Sequence, residues 1–241
     1  MTKIYVVGIG PGKEEYMTKQ AIDIIKSVDV IIGYSVYIEL LRDYYPGKNY
    51  ISTPMTKERE RCVIAFEEAM EGKSVAMVCS GDAGVYGMGS LMYEVGMDYP
   101  EVEIEMIPGV SAVISGAAVL GAPLIHDFAV ISLSDRLTLW ELIEKRLRCA
   151  ADADFVIAIY NPSSKGRPDY LKKACEIILE HRPSDNACGI VRNIGRDGQE
   201  SKVMTLAELK DTPVDMFTTV FIGNSQTYIQ GDKLLTPRGY K

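Results

Sequence analysis

SGDAGVYGMGS, Ser80–Ser90, follows an apolar run and carries four glycines and one acid. The run before it, KSVAMVC (Lys73–Cys79), has the composition of a buried strand, and from Leu91 onward the residues read as a helix. Ser80–Gly89 is therefore a crossover at the carboxyl edge of a strand, where open α/β sheets hold their ligands. Glycines there let the main chain approach a small molecule closely, and Asp82 offers a carboxylate. Taken alone, a tight turn capped by an aspartate is the simpler reading. The number of similar loops elsewhere in the chain favours a ligand.

Apolar, β-branched runs recur on both sides of this stretch. Strands are expected at Lys3–Ile9, Asp29–Ile32, Ser74–Cys79 and Val102–Ile107, then at Phe128–Leu133, Phe155–Tyr160, Ala187–Arg192, Lys202–Thr205 and Thr218–Ile222. Helices are expected between them at Glu14–Ser27, Lys57–Glu71, Gly89–Met97, Leu139–Ala151, Asp169–Glu180 and Leu206–Lys210. In the second of these, Val63, Phe66, Ala69 and Met70 share one face, with Glu67, Glu68 and Glu71 opposite. Lys57, Arg59 and Arg61 read as an exposed face of the same helix. Strand–helix alternation is the mark of an α/β protein. The small-residue stretch PGVSAVISGAAVLGAP (Pro108–Pro123) reads as a tightly packed helix bridging two lobes, rather than a flexible linker. Two α/β lobes, 1–115 and 116–241, are expected, with a mixed sheet in the second because of a late hairpin-like pair.

With 241 residues, 47% of them hydrophobic and 24% charged, the chain can bury a substantial core. A net charge of −7 with no basic cluster argues against a general nucleic-acid binder. The five cysteines are scattered without a CxxC, as expected of reduced thiols in the cytoplasm. With only His126 and His181, no metal site is expected. MTKIYVVGIGPG enters a strand at once, so no signal peptide is expected, and no apolar run reaches the ~20 residues needed to cross a bilayer.

GIGPGK (Gly8–Lys13) follows the first strand but matches neither phosphate-binding pattern. GxGxxG would need glycine at Lys13, and the P-loop needs one more residue before GK and a hydroxyl residue where Glu14 stands. Pro11 also lacks an N–H to offer an anion. Four more loops end apolar runs: GYSVY (Gly33–Tyr37), PGVSA (Pro108–Ala112), YNPSS (Tyr160–Ser164) and GNS (Gly223–Ser225). Each alone reads as a turn; together they would line one crevice.

GIGPG, GDAGVYGM and IPGVSA resemble the class III, tetrapyrrole-type methyltransferases, which use S-adenosylmethionine and lack the dinucleotide glycine pattern. GYSVY, HDFAVISLSD with LTLW, YNPSSKGR and FIGNSQT are similar to the branch that methylates C-17 of precorrin-3B or cobalt-factor III in cobalamin synthesis. The resemblance runs from about Ile4 to Thr227. Two departures are visible: Ala83 stands where the family often has proline, and so does Leu139. Neither removes a chemical group.

The resemblance implies a two-lobed tetrapyrrole methyltransferase fold, an active site in the cleft between the lobes, and a homodimer. It implies that Pro11, Ser80, Gly81, Asp82, Val85, Tyr86, Ser111 and Ala112 meet S-adenosylmethionine, leaving S-adenosylhomocysteine as product. Tyr160, Asn161, Asn193 and Ile194 would surround the adenine. The branch also contracts the ring, which needs proton movement; His126, Asp127, Ser134 and Asp135 are the nearest acid–base candidates. A structural pair is an equal reading of His126 with Asp127. Arg136 and Arg167 are candidates to hold the carboxylates of the tetrapyrrole substrate. The alternatives are a methyltransferase of this fold acting at another carbon or on uroporphyrinogen III, and a non-catalytic tetrapyrrole-binding module.

Overall fold

A computed structural model describes residues 2–240. The chain divides into two compact units, one ending at Ala112 and the other beginning at Val113.

The first unit alternates strand and helix: β1 (Thr2–Gly8), α1 (Lys19–Ser27), β2 (Val30–Tyr34), α2 (Ser35–Arg42), β3 (Asn49–Thr53), α3 (Glu58–Met70), β4 (Val75–Cys79), α4 (Gly89–Gly96) and β5 (Val102–Ile107). Its sheet has the order β3-β2-β4-β1-β5, and every pair is parallel. Strand β4 is buried throughout, as a central parallel strand covered on both faces must be. Ala76 and Val78 point toward α1 and α2, while Val75, Met77 and Cys79 point toward α3 and α4. Neighbouring strands β1 and β4 thus send their following helices to opposite faces, which opens a switch-point crevice at their carboxyl ends.

Three local expectations are corrected. Glu14–Ser27 is not one helix: a single 3₁₀ turn (Glu14–Tyr16) precedes α1, and Thr18 starts α1 by accepting the Ala21 N–H at 3.1 Å. GYSVY is no loop, because Gly33 and Tyr34 finish β2 and Ser35 opens α2. On α3 the buried stripe is Cys62, Ala65, Phe66 and Ala69, with Met70 exposed and Arg61 buried.

The helix α5 (Ala112–Leu120) is followed by the second unit's β6 (Gly121–Ala122), β7 (Phe128–Ser132), α6 (Trp140–Asp152), β8 (Val156–Tyr160), α7 (Tyr170–Leu179), β9 (Ala187–Arg192), β10 (Glu200–Thr205), α8 (Leu206–Lys210), β11 (Thr218–Ile222), β12 (Tyr228–Gln230) and β13 (Lys233–Leu235). The main sheet is mixed, with order β10-β9-β11-β8-β7; only β7 and β8 are parallel neighbours. The expected hairpin-like pair is β9 with β10, antiparallel over six residues each. Helices α6, α7 and α8 cover one face around Ile143, Leu147, Ile178 and Leu206. The other face receives α5. A Cβ at Gly116 would come within 2.9 Å of the Phe221 ring and 3.0 Å of Ile194. The small residues of this helix therefore serve close packing, not flexibility. Strands β12, β13 and β6 make a small separate sheet. No described helix is long and apolar enough to cross a membrane.

Candidate functional site

In the first unit the ends of β1, β4 and β5 meet through bare main chain. Gly10 and Gly81 form an antiparallel bridge, with N–H to O distances of 3.0 and 2.7 Å. Gly109, after β5, lies so close that a Cβ there would be 2.1 Å from the Gly81 oxygen and 2.6 Å from the Gly8 carbonyl. Gly8 and Gly109 have no room for a Cβ there, and Gly81 sits at a φ of +68° that favours glycine. Asp82 then ties the loops together: Oδ1 accepts the Gly84 N–H at 2.8 Å, and Oδ2 accepts the Gly109 N–H at 2.9 Å. The first contact closes an aspartate turn and starts the glycine loop; the second reaches a different strand's end. Farther along, Gly84 through Gly87 are exposed, including Val85 and Tyr86. Cys79, just before the loop, is no nucleophile, because burial pushes its thiol up to about 11.

In the second unit β11 runs antiparallel to both β8 and β9, so the carboxyl ends of β8 and β9 lie at one edge of the sheet. Ser132 pairs with Tyr160 there. The Asn161 amide donates to Ser132 Oγ at 2.9 Å, and the Tyr160 hydroxyl accepts the Val113 N–H of α5 at 2.8 Å. Asn193 follows β9, and Ile194 is buried beside Gly116. Tyr86, Asn161 and Asn193 have φ of 53°, 52° and 52°, three of the five non-glycine residues in left-handed backbone among the described residues. Asparagine adopts this backbone readily, whereas Tyr86 is a rarer occupant of it.

The four acid–base candidates do not form one constellation. Ser134 and Asp135 follow β7, whereas His126 and Asp127 precede it. Ser132 is six positions after His126, at most about 20 Å of extended chain. At the near end, Arg167 Nη1 donates to Ser134 Oγ at 2.9 Å and to Asp135 Oδ1 at 3.0 Å, and the Tyr170 hydroxyl donates to Asp135 Oδ2 at 2.6 Å. Arg167 is thus already neutralised, while Arg136 beside it is exposed with no charged partner among the described residues. At the far end, Asn224 donates to His126 Nδ1 at 3.0 Å. The Asn224 oxygen takes N–H and O–H donors from Gln226 and Thr227, so its amide is the donor and the neutral imidazole keeps its proton on Nε2. Among the described residues no cluster of histidine, cysteine and carboxylates is gathered for a metal ion.

Tyr170's hydrogen bond, more than Arg167's charge, holds the Asp135 carboxyl below the usual range. A depressed folded-state value means that this stabilisation is complete above the unfolded carboxyl's pKa and is lost as pH falls through the folded one. In urea titrations, the stability gap between wild type and Asp135→Asn is expected to close below about pH 4. A gap that does not narrow as pH falls through the carboxyl range counts against it.

These edges offer main chain, amides and a tethered carboxylate at glycine-lined strand ends. They define an α/β protein whose strand-end loops can approach a small ligand closely. Residues 3–210 match the model of the tetrapyrrole (corrin/porphyrin) methylases. A cobalt-factor III methyltransferase of Priestia megaterium is 46% identical over 99% of this chain, which spans 45% of that protein. A probable cobalt-factor III C(17)-methyltransferase of Salmonella typhimurium is 44% identical, with 98% of each chain covered. The crystal structure of the methyltransferase CobJ superposes with a TM-score of 0.90 at 36% identity, covering 98% of this chain and all of that one. The chain belongs to the tetrapyrrole methylase family.

The burial of Arg61 was missed in the sequence, as was the close approach of Gly109 to the other strand ends. Gly109 sat in a noted loop, but its closeness to Gly8 and Gly81 had no local signal.

Proposed function

We propose that this chain transfers a methyl group from S-adenosylmethionine to C-17 of a tetrapyrrole of the cobalt-factor III or precorrin-3B type, with ring contraction, in cobalamin synthesis. The observation that carries this reading is 44% identity over 98% of both chains with a relative named for that reaction. Both relatives described above are named for cobalt-factor III, which favours the already metallated substrate. The homodimer implied by the resemblance and the cytoplasmic location expected from the cysteines belong to the same proposal.

The donor set fits the methyl donor. Bound, it supplies a methyl group on a positively charged sulfur, ready for displacement. Pro11, Ser80, Gly81, Asp82, Val85, Tyr86, Ser111 and Ala112 would hold its methionine and ribose portions, and Tyr160, Asn161, Asn193 and Ile194 its adenine. A neutral main-chain wall suits such a ligand better than a phosphate cradle would. Alignment at about 3–3.5 Å with water excluded is the main requirement, and packed glycine junctions hold a loop rigidly enough for it.

Arg136, exposed and with no charged partner among the described residues, is the first candidate for a substrate carboxylate, and Arg167 holds the YNPSS loop to Asp135. For the proton steps, Ser134 shares its edge with the proposed adenine residues. His126, which precedes β7 at its other end, serves as a structural lock with Asn224. His126→Ala is expected to leave product formation within a few-fold of wild type while lowering the melting temperature. Loss of product with unchanged stability would return it to the chemistry.

Incubation of purified protein with S-adenosylmethionine and either cobalt-factor III or precorrin-3B, followed by mass and NMR analysis, tests the whole reading. A methylated, ring-contracted product is expected. Methylation at another carbon points to a different member of the fold. Tetrapyrrole binding without methyl-donor binding points to a carrier.

A further inference from the structure

Arg61 on α3 is 4% exposed, though its sequence neighbourhood reads as a solvated charged face. Its Nε donates to Thr53 Oγ1 at 2.7 Å, Nη2 donates to the Pro54 carbonyl at 3.1 Å, and Nη1 lies 3.8 Å from Met88 Sδ. All three acceptors are uncharged, and among the described residues the guanidinium has no carboxylate partner. A guanidinium stays protonated, and burying a cation without a counter-charge costs several kcal/mol where a methionine would fill the space without that penalty. The contacts are not scattered. Thr53 ends β3, and Met88 closes the glycine loop just before α4. The fork therefore spans from one strand's carboxyl end to the loop proposed to hold the methyl donor. Beneath the dominant effect of burial, the charges of Arg61 and Asp82 act on the Cys79 thiol in opposite senses, so both reach the start of that loop.

Resting on the methyltransferase reading above, we propose that Arg61 is a positioning residue with two separable parts. Its fork fixes the glycine loop through Met88 and Thr53–Pro54. Its charge, bonded to no carboxylate among the described residues, biases the site against the cationic donor and toward the neutral thioether product. Transfer breaks the sulfur–methyl bond and leaves that electron pair on sulfur, while the acceptor carbon supplies the pair for the new carbon–methyl bond. The positive charge thereby leaves the sulfur, and a buried cation nearby favours that direction.

The test is calorimetric titration of S-adenosylmethionine and S-adenosylhomocysteine into wild type, Arg61→Lys and Arg61→Met. In Arg61→Met the ratio of donor to product affinity is expected to shift toward the donor by about threefold or more. In Arg61→Lys, which keeps charge but not fork, both affinities are expected to fall together with the ratio unchanged. A purely structural role predicts one ratio in all three proteins and overturns the proposal, as does a lysine variant that behaves like the methionine one. Should Arg61→Met not fold, Arg61→Gln keeps amide donors without the charge and carries the same comparison. Wild-type protein that binds neither ligand overturns the methyltransferase reading and this inference with it; binding of both with an unmoved ratio overturns only the latter.

Discussion

Gly109→Ala is expected to weaken cofactor binding strongly and to destabilise the first unit. The added Cβ would sit 2.1 Å from the Gly81 oxygen and 2.6 Å from the Gly8 carbonyl, and both neighbours are backbone that cannot rotate away. One of three strand-end loops must move, and each is fixed: Gly81 by its bridge to Gly10, Gly8 as the last residue of β1. Forced overpacking of this kind costs about 3 kcal/mol, a fall of roughly 10 °C in melting temperature for a chain of this size. The same energy spent on displacing the loop weakens S-adenosylhomocysteine binding about 100-fold. Gly84→Ala is the internal comparison, since its Cβ would meet only Asp82 Oδ1 at 3.2 Å. A smaller loss is expected there. Equal effects from the two substitutions would show that the three-glycine junction is not what shapes the site.

Asp82→Asn carries the second large expected effect. The residue reads from sequence as a carboxylate offered to a ligand, yet both of its oxygens are engaged within the protein. An asparagine keeps one acceptor for Gly84 but turns an N–H₂ toward the Gly109 N–H, two donors face to face. Losing a hydrogen bond to a charged group costs about 1.5–3 kcal/mol, so donor affinity is expected to fall by roughly 10- to 100-fold. The melting temperature should fall with it, because the carboxylate joins two loops before any ligand arrives. A side chain acting only by touching the ligand would lose affinity with stability untouched. Thermal unfolding and titration calorimetry on the one variant separate the two roles.

The reach of the sequence differs between elements for identifiable reasons. Strands β1, β4, β8, β9 and β11 are runs of buried apolar residues, and such runs announce themselves locally. Strand β3, NYIST, carries mostly polar residues at the sheet edge; its pairing with β2 makes it a strand. Helix α2 was hidden by a motif that looked like a loop, although Ile38 and Leu41 keep helical spacing. Of the candidate site, the loops were legible as glycine-rich strand ends. Their contacts were not, because a carboxylate at position 82 and an amide at position 109 meet only after three strands have stacked in order.

Alternation of apolar runs and helical spacing, with glycine at the strand ends, determined an α/β chain and, through its motifs, a methylase family. That much depends on neighbours in sequence, where side-chain period and backbone freedom act. Which charges are paired depends on neighbours in space. Tertiary structure alone set Arg167 against Asp135, buried Arg61 among neutral acceptors, and used the length of β7 to part His126 from Ser134. Burial and Coulomb interaction act through distance in the folded chain, and no spacing along the sequence reports it.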